Sequence, residues 1–504
     1  MKDLNILKNK YQEIVKRIRA YNFVFYIISW DSQTEAPDGC FEERAKQLEV
    51  LSEDNYKLLT SPETISTVNE LYERRNELDD VLKHEIIEFK KSNDKTTKIP
   101  MDEYVELNSL LAVTENIWAK AKENNDFNSF APYLTKIINM LRKYVKHLET
   151  DELKGYNVLL DEYEPGMTIE KYDEFFGLLK KDLVPFVKKV TNTKLDFNSD
   201  FANLSYPVEL QKQFTSFLED VLCFDKSKGL SKESAHPFTS GFGTHDVRYT
   251  NHFYENNFIS SIFSAIHELG HATYESQVDP SLENTLSGGG ASMAMHESQS
   301  RFYENIIGRS EEFWKPIYPE LKKTFKKQLK GVSLDDFLKL INKSENSLIR
   351  TEADELTYPI HIMIRYEIEK ALFNNEIEVE DLPKIWNKAI KDNLGIDCPN
   401  DTQGVLQDVH WAGGSFGYFP TYALGSAYAS QIYYTMTKDI NIKKVLKTKS
   451  TKEINEWLKE KIHRFGNSKY PHEILKIATG EDFNPQYYIK YLKEKYSKIY
   501  NLSE

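Results

Sequence analysis

The sequence contains the segment His267-Glu268-Leu269-Gly270-His271. In a helix rising about 1.5 Å per residue, positions four apart lie one turn apart on the same face, so both imidazoles can reach one metal ion. Glu268 projects beside them, where a carboxylate can take a proton from a water that zinc has made acidic near neutrality. That chemistry hydrolyses an amide without a covalent enzyme intermediate. A catalytic zinc takes three protein ligands and keeps one position open. Glu297, in His296-Glu297-Ser298-Gln299, lies 26 residues after His271 (297 minus 271) and supplies a carboxylate for the third place. On spacing alone it is equally a helix-surface glutamate paired with Arg301 four residues on.

Such residues need rigid elements. The apolar run Phe258, Ile259, Ile262, Phe263 and Ile266 ahead of His267 predicts a buried helix, in which polar rings require partners. The turn Ser287-Gly288-Gly289-Gly290 lets a second helix return antiparallel with Glu297 on it. Elsewhere, Leu4, Leu7, Tyr11, Ile14 and Ile18 recur at helical spacing, and Ser61-Pro62-Glu63 forms an N-terminal cap ahead of Ile65, Val68, Leu71 and Tyr72. Similar apolar stripes run from Tyr104 to Ala121 and from Tyr133 to Leu148. Strand-like patterning is confined to about 236–256, where Phe238, Phe242, Tyr249 and Phe253 crowd a stretch with Thr and Gly. The predicted fold is mainly α, a large helical body with a deep central groove and a small antiparallel β element near the active site. The irregular stretches 155–168, 226–256, 277–292 and 396–426 are where chemistry belongs.

Composition sets the boundaries. With 65 Lys+Arg against 78 Asp+Glu, a formal charge of −13, the chain lacks the basic surface that grips phosphate backbones, so no nucleic-acid partner is expected. The run Phe23 to Ile28 is far short of the roughly 20 apolar residues of a membrane span, and residues 1–20 carry no apolar signal core. No membrane association and a cytoplasmic location are expected. Cys40, Cys223 and Cys398 have no paired spacing, which predicts reduced thiols rather than disulfides or a thiolate metal site. A length of 504 residues is a prior for two to four domains.

Six ordered stretches resemble the successive signatures of the carboxypeptidase Taq family of zinc metallocarboxypeptidases. They are His236-Pro237-Phe238, Asp246-Val247-Arg248-Tyr249-Thr250, His267 to His271, His296-Glu297-Ser298-Gln299, Ile349-Arg350-Thr351-Glu352-Ala353-Asp354, and Gly404 to Trp411. Trp30-Asp31 with Thr34 and Pro37, Tyr163 to Thr168, and Gly414 to Tyr422 are similar to further family stretches, so the likeness covers nearly the whole chain. One departure is Ala36 in Glu35-Ala36-Pro37, where family members often carry Met.

The resemblance implies that His267, His271 and Glu297 hold one Zn2+ per chain, with Co2+ or Mn2+ as substitutes. It implies Glu268 as general base and then proton donor to the leaving amine. It assigns Arg350 to the substrate's C-terminal carboxylate, which a guanidinium grips with parallel charge-assisted bonds; without the resemblance Arg350 reads as a helix partner of Asp354. His410 adds a hydrogen bond there or to the peptide. Tyr422, with His410 as competitor, stabilises the oxyanion. His236 and Arg248 line the groove, and Asp246 pairs structurally with Arg248. The implied enzyme removes single residues from the C-termini of unfolded peptides with broad tolerance, and works as a homodimer. Two alternatives stand beside it: a helical zinc oligoendopeptidase, which ignores the terminal carboxylate, and a non-catalytic peptide-binding scaffold. Site residues spread over 236–425 must converge on one groove, which favours a single catalytic domain over residues 1–504.

Overall fold

A computed structural model describes residues 3–502. Helices dominate. The first, Leu4–Thr34, is capped by the Asp3 carboxylate accepting from the Asn5 N–H at 2.9 Å, and it buries Leu7, Tyr11, Ile14 and Ile18 on the stripe read from the sequence. It packs on Pro62–Glu73, where Ser61 accepts from the Thr64 N–H at 3.1 Å, and with Asp80–Lys98 these helices enclose a small apolar cluster of their own. The expected stripes further on are the helices Met101–Asn124 and Phe127–Leu148. The second buries a full face, from Phe130 to Val145, whereas the first fully buries only Thr114 and Ala121 and lies across the surface. The helices from Phe127 onward share one large apolar cluster that runs from Ala121 to Tyr500, whereas Phe41–Thr60 adds Leu58 to the small one. Among the described residues no helix is long and apolar enough to cross a membrane.

The β element is a three-stranded sheet, and it is mixed rather than antiparallel. β1 (Gly229–Glu233) runs parallel to β3 (Val247–Asn251), while β2 (Thr239–Gly241) runs antiparallel to it, in the order β1-β3-β2. β1 lies upstream of the aromatic stretch and is mostly exposed, so it carries no burial signal. A parallel partner needs a crossover of roughly a dozen residues, and residues 234–246, with β2 inside them, supply it. The central strand β3 buries Val247, Tyr249, Thr250 and Asn251 against the helix that follows.

That helix, Phe258–Ser276, carries the His-Glu-x-x-His segment. Asn257 caps it by accepting from the Ser260 N–H at 3.2 Å, and Asn251 Nδ2 donates to its Ser261 carbonyl at 3.0 Å, tying sheet to helix. It is buried on nearly all sides, as the apolar run predicts. The glutamate helix, Met293–Arg301, crosses it so closely that a Cβ at Gly270 would lie 2.8 Å from Ser300 Cα and 2.9 Å from the Gln299 carbonyl oxygen. Gly270 therefore permits the backbone approach that brings Glu297 to the two histidines. The glutamate helix continues as a π turn, Phe302–Ile307, of a kind often found at functional sites. A buried helix, Phe419–Asp439, closes the other side.

Candidate metal centre and substrate groove

Nε2 of His267 and Nε2 of His271 each stand 3.8 Å from Glu297 Oε2, and one ligand atom from each residue falls within 4.8 Å of the others. A tetrahedral site with bonds of about 2.0–2.1 Å separates its ligands by roughly 3.4 Å. The two-nitrogen, one-oxygen set thus fits a divalent ion with little movement, and its chemistry suits zinc-type ions better than oxygen-seeking ones.

The candidate ligands His267 and Glu297 are held from behind by charged partners, as metal ligands require. His267 Nδ1 meets Glu304 Oε2 at 2.9 Å, and Glu304 comes from the π turn. Glu297 Oε1 accepts from Arg301 Nε at 2.6 Å, so the helix pairing considered from sequence exists, on the oxygen that faces away from the histidines. Arg301 Nη1 also donates to Glu304 Oε2 at 3.1 Å, and Arg309 Nη2 donates to Glu304 Oε1 at 3.3 Å. Burial alone would raise the Glu304 carboxyl, but Arg301, His267 and Arg309 hold it far below the usual range. Burial lowers His271, reinforced by His296, His267 and Arg301, which keeps it neutral and ready to ligate. For His267 burial acts the same way, and the charges of Glu297 and Glu304 outweigh it.

Glu268 is buried beside the pair. Its Oε2 accepts from the Thr239 hydroxyl at 2.6 Å, and the same hydroxyl lies 3.0 Å from the Glu268 carbonyl oxygen. β2 therefore sets the carboxylate's rotamer. Burial raises Glu268 above the ordinary glutamate range, with His267 and Thr239 opposing, which moves it toward the range of a useful general base. The cavity in front measures about 630 Å³ and is lined by Glu268, His271, Glu297, Phe238 and Tyr418, together with His84 of Asp80–Lys98. The expected groove is here.

Arg350 is buried nearby. It does not pair with Asp354, whose Oδ1 instead accepts from Ser344 and the Leu356 N–H, both at 2.9 Å. Its Nε and Nη2 donate to Asp408 Oδ1 at 3.0 and 2.8 Å, and its Nη1 donates to the Tyr358 hydroxyl at 3.1 Å. The ring of Tyr422 lies 5.3 Å below the guanidinium. His410 Nε2 is 3.4 Å from the Tyr422 hydroxyl, and the buried Nδ1 of His410 has no partner among the described residues. Burial, reinforced by Arg350 and Arg365 and opposed by Asp408, pushes His410 down to about 4, so it is neutral at pH 7. Arg350, His410 and Tyr422 are thus brought together.

The other two expected groove residues are not. The His236 side chain is exposed to solvent and does not line the cavity. Arg248 spends its Nε and Nη2 on Asp246, at 2.6 and 2.8 Å, and stacks over Tyr26 and Trp30, which is the structural pairing expected for Asp246. Sequence reasoning missed Thr239, Glu304, Tyr358, Arg365 and Tyr418. Only Glu304 carried a signal, since it lies seven residues after Glu297, two helical turns along the same face.

A motif helix bearing two histidines, a buried glutamate beside them and a second glutamate from the crossing helix, gathered at one cavity, define the metallopeptidase class. The description "Carboxypeptidase Taq (M32) metallopeptidase" matches residues 10–496. The chain is 42% identical over 501 residues to Carboxypeptidase 1 of Bacillus subtilis (strain 168), covering 99% of this chain and 100% of that one. It is 34% identical over 493 residues to Thermostable carboxypeptidase 1 of Pyrococcus furiosus, covering 95% and 96%. The M32 carboxypeptidase structure from Deinococcus radiodurans R1 superimposes with a TM-score of 0.94 at 30% identity, covering 98% of this chain and 100% of that one. The chain belongs to the carboxypeptidase Taq (M32) family and is a metallocarboxypeptidase.

Proposed function

We propose that this enzyme uses Zn2+, held by His267, His271 and Glu297, to release single amino acids from the C-termini of peptides with broad side-chain tolerance. The observation that carries the reading is a continuous chain of contacts from metal ligand to carboxylate site. Glu297 bonds Arg301 at 2.6 Å, Arg301 stacks 5.2 Å from the Tyr358 ring, and the Tyr358 hydroxyl accepts from Arg350 at 3.1 Å. A peptide whose terminal carboxylate lies on Arg350 would thus present its last amide near the ligand set.

The metal, when bound, acidifies water and polarises the scissile carbonyl. Everything else falls to the chain. Thr239 occupies Glu268 Oε2, so Oε1 takes the proton from the attacking water and returns it to the leaving amine. Tyr418 lines the cavity with Glu268 and Glu297, whereas Tyr422, its edge-on neighbour at 5.1 Å, does not, which favours Tyr418 for the developing oxyanion. Tyr422 and neutral His410 serve the carboxylate end beside Arg350. With His236 exposed and Arg248 committed to Asp246, these two residues have no part in the chemistry inside the cavity.

The same reading takes residues 1–504 as one catalytic domain and two chains as the working unit, which sedimentation tests. A cytoplasmic setting is supported by three free cysteines, one of them exposed. The decisive experiment incubates purified protein with one peptide, follows products by mass and measures bound metal. Stepwise C-terminal loss with one zinc per chain is expected. Internal fragments would instead favour an oligoendopeptidase, and no hydrolysis with no metal would favour a scaffold.

A further inference from the structure

The two motif histidines are backed differently. His267 Nδ1 meets a carboxylate directly, Glu304 Oε2 at 2.9 Å. His271 Nδ1 meets another imidazole nitrogen, Nδ1 of His296, at 2.6 Å, and His296 Nε2 meets Glu275 Oε1 at 2.7 Å. Hydrogen-bond chemistry then leaves one arrangement for neutral rings. An ionised carboxylate only accepts, so His296 carries its hydrogen on Nε2 and offers a lone pair at Nδ1. His271 must therefore donate from Nδ1, which leaves the lone pair of His271 on Nε2, the nitrogen facing Glu297 Oε2 at 3.8 Å.

We propose that Glu275 is a positioning residue that fixes the tautomer of His271 through His296, so that Nε2 is available to the metal. Glu275 lies four residues after His271, one turn further along the same helix, so one helix supplies both the ligand and the carboxylate that governs it. The carboxylate is itself anchored, since Oε1 also accepts from the Gly290 N–H at 3.1 Å. Gly290 leaves room for the middle ring: a Cβ there would fall 2.5 Å from His296 Cδ2 and 3.1 Å from its Nε2. The glycine turn before the glutamate helix thus seats His296 as well as reversing the chain.

This inference rests on the ligand assignment proposed above, and the test separates the two. Cobalt-loaded enzyme is examined by proton NMR for hyperfine-shifted ring N–H signals that vanish in D2O, and Co2+ affinity is measured by chelator competition. Wild type should give two such signals, one from each motif histidine. Glu275→Met should lose the His271 signal, keep that of His267, and bind Co2+ about 10–100-fold more weakly. Glu275→Gln, which keeps an acceptor oxygen, should retain both signals. Gly290→Ala, which leaves Glu275 intact but crowds His296, should reproduce the Met variant's loss. Two signals with wild-type affinity in both Glu275→Met and Gly290→Ala would overturn the inference alone. A wild-type spectrum without two exchangeable ring signals would overturn the ligand assignment, and the inference with it.

Discussion

Arg350 and Asp408 form a side-on ion pair in which Nε and Nη2 of the arginine share one carboxylate oxygen, at 3.0 and 2.8 Å. The other oxygen, Oδ2, is held by Arg365 Nε at 2.7 Å and Nη2 at 2.5 Å. Of the five N–H groups of a guanidinium, Asp408 takes two of Arg350 and Tyr358 takes a third. Two remain, one on each Nη, which is the number a carboxylate takes bidentately. Two arginines against one aspartate also leave one buried positive charge unneutralised within the triad. A substrate carboxylate would complete it.

Replacing Glu268 by Gln removes the proton acceptor while keeping shape and a partner for Thr239. Turnover should fall by several orders of magnitude with bound metal unchanged. Steady-state kinetics beside metal analysis checks this, and retained activity would take Glu268 out of its role.

Glu304→Gln should do the converse. The amide can still accept from His267 Nδ1 but no longer offers Arg301 and Arg309 a charge. Metal affinity should fall by about 10–100-fold, as for other residues that back a ligand. Competition with a chelator reads it, and unchanged affinity would leave Glu304 a purely structural group.

Glu369 reports through stability. Burial pushes its carboxyl up to about 7, although Tyr156, Gly417 and Trp411 all donate to it. An acid raised on folding binds its proton more tightly in the native state. Its contribution is full below the unfolded value near 4.5 and is lost as pH climbs through about 7. A shift of that size corresponds to about 3 kcal/mol. The stability of Glu369→Gln relative to wild type, from denaturant midpoints, should therefore improve by a few kcal/mol between pH 4.5 and 7.5. A pH-independent difference would contradict the assignment.

What could be read from the chain divides by distance. The motif helix was legible because its apolar run and its two histidines are local, period-driven features, and Leu7, Tyr11, Ile14 and Ile18 were legible for the same reason. Glu297 was ambiguous by spacing, and its geometry is compatible with both readings, since one oxygen faces the histidines and the other pairs with Arg301. The sheet's mixed topology was not legible, because β1 pairs through backbone groups and buries little. Nor was the setting of Arg350. Its partner Asp408 lies 58 residues away, and Asp408 in turn needs Arg365 from a different helix. His236 and Arg248 sit in recognisable stretches, yet side-chain direction, which sequence does not carry, turns one to solvent and the other onto Asp246.

The most direct test of the central claim compares one peptide with a free and with an amidated C-terminus, on wild type and on Arg350→Ala. Two charge-assisted bonds at roughly 1.5–3 kcal/mol each predict that wild type favours the free carboxylate by about 10²–10⁴ in kcat/KM. Arg350→Ala should lose most of that preference by losing activity on the free peptide. Equal cleavage of both peptides by wild type, or an undiminished preference in Arg350→Ala, would contradict carboxylate recognition by Arg350.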